Sequence, residues 1–148
     1  MTRAAGAVHE ARMGRAAEQS AQRRSLILRV IYALCLLGAT ANHWAILLQH
    51  GLYWDYGGFP VATAIFWTSL SFLDPAAVVL LFARPNAGVA ATIAIIVTDV
   101  IHNLWIEARY FPPLLRTLVQ APGVMAQIAF MLFVLATASR AWGSERLA

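Results

Sequence analysis

Residues 87–108 read AGVAATIAIIVTDVIHNLWIEA. The run is apolar enough for lipid, yet it carries Thr92, Asp99, His102 and Asn103 in its interior. A helix crossing a hydrocarbon core of roughly 30 Å needs ~20 predominantly apolar residues, which this run supplies. An ionisable side chain facing lipid at mid-membrane costs ~2.5–3.5 kcal/mol on insertion scales. At 100° per residue the four polar residues share one side of the helix. The run is therefore expected to span a membrane with its polar stripe turned to a bundle interior or a water-filled cavity.

Three further runs of the same kind flank it, at about 25–48, 60–83 and 122–139, separated by Gly57-Gly58, Arg84-Pro85-Asn86 and Pro112-Pro113. They are too long, and alternate too little, for the strands of a membrane barrel. The expected fold is an all-α, four-helix transmembrane bundle over residues 25–140. A basic tail (1–24) precedes it, expected to be flexible or surface-lying, and a short one (141–148) follows.

Composition agrees. Of 148 residues, 60% are hydrophobic and 12% charged, against roughly 25% charged in an average soluble domain. A disordered chain and a nucleic-acid module are excluded as readings, and no nucleic-acid partner is expected. Every one of the 11 basic residues is arginine. With the N-terminus inside, Arg3, Arg12, Arg15, Arg23, Arg24, Arg29, Arg84, Arg140 and Arg146 lie inside and only Arg109 and Arg116 outside. The positive-inside rule thus places both termini in the cytoplasm. Arg29 is expected to snorkel to the headgroups. The Ala-rich, lysine-free composition is associated with high-GC bacteria, so the expected location is a bacterial inner membrane, with lipid as the first partner.

Ala39-Thr40-Ala41 mimics a signal-peptide cleavage site, but Arg29 interrupts the apolar segment and apolarity continues to Leu48. The single Cys35 excludes an internal disulfide and a cysteine zinc site. Phosphate-binding glycine loops, His-Glu-x-x-His and Gly-x-Ser-x-Gly do not occur, nor does an internal repeat of the inverted transporter type.

Candidate functional residues are the polar groups at membrane depth. The second span offers Thr63, Trp67, Ser71 and Asp74 on one face, with Pro75 removing the N–H that would bond the Ser71 carbonyl. The first offers Tyr32, Ala39, His43 and His50, flanked by Asn42, and the fourth adds Gln127 near its outer end. At 1.5 Å per residue from each inner end, Asp74 sits roughly 13 Å up, Asp99 roughly 18 Å, His102 about 23 Å and His43 about 27 Å. That ladder outlines a cavity opening outward, formed by spans one to three.

Two carboxyls held together away from water cannot both ionise cheaply, so one is expected to keep its proton. Beside a histidine, such an acid suits proton transfer to or from a bound molecule. On this reading Asp99, His102 and Asp74 are the candidate catalytic groups of a pocket that binds or converts a small apolar or amphiphilic ligand. Trp67, Asn103, Trp105, His43, Ser71 and Tyr32 are the candidate ligand contacts.

The competing expectation is that the same side chains only hydrogen-bond across helices, in an accessory or structural subunit of a larger membrane complex or a homo-oligomer. Trp44, Trp54 and Trp105 are then interface belt residues, and Glu107 with Arg109 a surface pair. Lesser alternatives are proton-coupled transport, a metal bound by His43, His102, Asp74 and Asp99, and haem between His43 and His102. No particular cofactor is implied.

The layout resembles the four-helix membrane domain shared by sterol isomerases and sigma-two-type receptors. The resemblance rests on Asp74, Asp99, His102 and Asn103-Leu-Trp105, over roughly residues 25–140. It implies a pocket lined by acids and a histidine. The paired glutamates of the isomerases have no counterpart here, and the loop between spans one and two is short, so it serves as analogy only.

Overall fold

The computed structural model describes residues 2–111 and 122–142. These contain four helices: α1 (Thr2–His50), α2 (Val61–Ala83), α3 (Pro85–Tyr110) and α4 (Pro122–Ala141). All four are long and apolar enough to cross a membrane. The breaks at Gly57-Gly58 and at Arg84 fall where expected; Pro112-Pro113 and Arg116 lie outside the described residues, as does the end of the C-terminal tail from residue 143.

α2 and α3 are joined through Arg84 alone, whose N–H bonds the Leu80 carbonyl, and Pro85 opens α3 where a helix needs no donor. This tight turn brings α3 so close to α2 that a Cβ on Gly88 would overlap the backbone of Leu80 and Leu81. Glycine is required there by space.

Each helix packs on its neighbour in sequence, and α1 closes the ring against α4. The core between them is Tyr32, Leu36, Ala77, Leu81, Val89, Ile96, Val100 and Val134, all at most 5% exposed. The outward faces carry Leu34, Ile65, Val79 and Leu132, each more than half exposed, as a helix bathed in hydrocarbon requires.

One expectation for α1 is corrected and another gains a partner. Residues 2–24 continue the helix without a break, because alanine, arginine, glutamate and glutamine are strong helix formers and no proline intervenes. Arg29, expected to reach toward the headgroups, directs its Nη1 to the Leu81 carbonyl (2.9 Å). Leu81 lies in the last turn of α2, where carbonyls lack helical partners and the helix dipole favours a cation. Nearby, the Ser25 hydroxyl donates to the Ala141 carbonyl (2.9 Å) at the end of α4.

Candidate functional site

At the end of the bundle where α1 and α3 finish and α2 and α4 begin, the helices part around a cleft of about 380 Å³. Its polar lining comes from Asn42 and His43 on α1, Trp67 on α2, Asp99, Asn103 and Glu107 on α3, and Gln127 on α4. Tyr56 and Phe59 from the α1–α2 loop supply its aromatic rim. The loop is bent by left-handed backbone at Gly51, Tyr56, Gly57 and Gly58. Tyr56 holds φ 55° while its hydroxyl meets Thr68 Oγ1 (3.2 Å) and its ring packs 5.1 Å from that of Trp67.

Asn103 is the centre of the polar network. Its Oδ1 accepts from Trp67 Nε1 (2.9 Å), and its Nδ2 donates to Asp99 Oδ1 (3.0 Å) and to Gln127 Oε1 (2.9 Å). One amide therefore ties α2, α3 and α4, with both hydrogens and one acceptor position used. Asp99 is 6% exposed and Asn103 9%; both sit on the stripe that also buries Thr92 and Ile96. Thr92 bonds back to the Gly88 carbonyl of its own helix, so it stays satisfied without reaching across (2.8 Å).

Asp74, 2% exposed on α2, lies below the cleft, with His43 Nε2 3.9 Å from its Oδ2. It also interacts electrostatically with Asp99 across the α2–α3 interface. His43 and Asp74, expected roughly 14 Å apart in depth, therefore lie closer than counting from the inner ends gives, and side-chain lean accounts for part of the difference. Side chains lean towards their own helix N-terminus, so on antiparallel helices His43 leans down and Asp74 up.

Other expected site residues lie elsewhere. His102 is outside the cleft, its ring 4.6 Å from Phe66 and 5.9 Å from both Trp67 and Trp105. It stands about 60° round the helix from Asp99, on the side opposite to Asn103. Trp105 is 51% exposed, on the outer surface. Tyr32 is fully buried in the apolar half, where its hydroxyl meets Thr137 Oγ1 (2.6 Å) and the Val134 carbonyl (3.3 Å). Ser71 is fully buried beside Asp74's turn; its Oγ has no partner, and its carbonyl accepts from Trp44 Nε1 (3.1 Å).

Glu107 was expected to pair with Arg109 at the surface. It instead lines the cleft with Oε2 buried and unpartnered, while Arg109 lies over the Tyr110 ring (5.5 Å). The signal was available: Asp99, Asn103 and Glu107 follow at spacings of four, so the stripe runs on past Asn103. His43 Nδ1 is likewise buried without a partner. Among the described residues no three of His, Cys, Asp and Glu gather closely enough to hold a metal ion.

Comparison with known protein families, with curated proteins and with solved structures finds no match for this chain. The functional reading therefore rests on the cleft itself.

Proposed function

We propose that this is a multi-pass membrane protein of the cell membrane, with both termini in the cytoplasm, whose cleft opens outward and binds a small apolar or amphiphilic ligand. The observation that carries the reading is the coincidence of the cleft with unpartnered polar atoms. His43 Nδ1 and Glu107 Oε2 are buried without a hydrogen bond on residues that line it. Buried polar atoms are almost always satisfied, and an unpaired one costs ~1–3 kcal/mol. A bound polar head offsets that cost, and the aromatic rim of Tyr56, Phe59 and Trp67 suits an apolar body. The asymmetric arginines support the orientation.

If the ligand is also converted, the proton-exchanging groups are Asp99, Glu107 and His43, which line the cleft, rather than Asp99 with His102. The apolar core that fills the other half of the bundle favours binding over conduction. A structural role for the network is the second reading, and the Asn103 hub favours it: three helices joined through one amide is what helix-fastening needs.

Organic extraction of the chain purified in a mild detergent tests the proposal. Enrichment of one small-molecule class over the bulk membrane extract, lost when the cleft is filled by Val124→Trp, supports binding. An extract identical to bulk lipid in both proteins supports the structural reading.

A further inference from the structure

Resting on the binding reading above, we infer that the cleft selects amphiphiles whose head donates hydrogen bonds and carries no negative charge, such as an alcohol or an amine, and rejects carboxylates and phosphates of the same tail length. The inference comes from the balance of donors and acceptors on the lining. Asn103 spends both amide hydrogens on Asp99 and Gln127, and Trp67 spends its N–H on Asn103. Tyr56 is engaged with Thr68. The lining atoms that are both buried and unpartnered can accept; the amide hydrogens of exposed Asn42 and half-buried Gln127 are not among them. Glu107 Oε2 is a carboxyl oxygen. His43 has Nε2 turned to the Asp74 carboxyl at 3.9 Å, which favours the ring proton on Nε2 and leaves Nδ1 as a lone pair.

Charge acts in the same direction. Among the described residues, the lining carries the carboxyls of Asp99 and Glu107 and the imidazole of His43, with Asp74 beneath His43, and no arginine. An anionic head would be desolvated beside two carboxyls, with no arginine among the described lining residues to pair it. A hydroxyl or ammonium placed there satisfies the orphaned acceptors instead. The rings of Trp67, Tyr56 and Phe59 take the first part of the tail, since Trp67 packs 5.1 Å from Tyr56 and 5.3 Å from Phe59.

The test places the full chain in lipid nanodiscs with three probes sharing one undecyl tail brominated at carbons 4 and 5, close to the head: an alcohol, an amine and a carboxylate. Bromine quenches nearby tryptophan, and the difference between wild type and Trp67→Phe isolates the signal at the cleft. Saturable quenching by the alcohol or the amine, at least about ten-fold tighter than by the acid, is the expected result. The stronger of the two identifies the head, and Glu107→Gln narrows its lead over the acid. Acid binding as tightly as both others overturns the inference while leaving a ligand cleft in place. Absence of saturable Trp67 quenching by all three probes overturns the inference together with the binding reading beneath it.

Discussion

The indole of Trp44 on α1 donates to the carbonyl of Ser71 on α2 (3.1 Å), the carbonyl that Pro75 deprives of its helical partner. A proline at i+4 has no N–H to give, and in hydrocarbon an abandoned carbonyl has no water to turn to. The carbonyl left open one turn before Pro75 is therefore satisfied from the neighbouring helix, and the same contact fixes α1 beside His43.

Removing that donor has a conditional cost. Trp44→Phe is expected to destabilise the bundle by about 1 kcal/mol, read by unfolding in mixed micelles with increasing sodium dodecyl sulfate. In a Pro75→Ala background residue 75 regains its N–H, and the cost of Trp44→Phe falls to roughly 0.3 kcal/mol or less. Equal costs in both backgrounds would show that the indole is not serving the Ser71 carbonyl.

The Asn103 hub sets a scale for the polar network. Membrane interhelical hydrogen bonds average about 0.6 kcal/mol; Asn103→Leu loses two of these, to Trp67 and Gln127, and a third bond to Asp99 within α3, and should cost about 1–2 kcal/mol. Gln127→Leu breaks one and should cost about 0.6 kcal/mol in the same unfolding assay. A Gln127 effect as large as that of Asn103 would place the fastening at α4 instead.

Arg29 supplies a contrast within one helix. Arg29→Gln removes the cation from the Leu81 carbonyl and should lower stability by about 1 kcal/mol. Arg24→Gln, at an exposed position of α1, should change it by less than about 0.5 kcal/mol. Indistinguishable unfolding curves for the two variants would mean that the Arg29 contact to Leu81 adds nothing to stability.

Gly88→Ala tests the closeness of α2 and α3. The added methyl has no space beside the Leu80–Leu81 backbone, and the expected loss is about 3 kcal/mol or more. Gly38→Ala, where the new atom meets open space, should be neutral or slightly stabilising. A tolerated Gly88→Ala would show that the hairpin opens readily.

The four helices were legible because length, apolarity and breakers all act locally: the observed ends of α2, α3 and α4 fall within two residues of those read from the sequence. The start of α1 was not, because residues 2–24 show no apolar pattern and helix formation there rests on propensity alone. Burial of Thr63, Ser71, Asp74, Thr92, Asp99 and Asn103 followed from the cost of polar groups in lipid. Which of them share the cleft did not. Periodicity gives a face to within about one residue, and that step separates Asn103, turned to α4, from His102, turned to the aromatic cluster. Glu107 escaped because its position near the helix end reads as interfacial, and its cleft is completed by the loop residues Tyr56 and Phe59, which helix periodicity does not place.

Native mass spectrometry of the chain released gently from detergent tests the central claim most directly, comparing wild type with Val124→Trp in the cleft and Val79→Trp on the outer face. The account predicts one retained small-molecule adduct per chain in wild type and Val79→Trp, and its loss in Val124→Trp. Equal retention in all three proteins, or an adduct in none, would contradict a ligand-binding cleft.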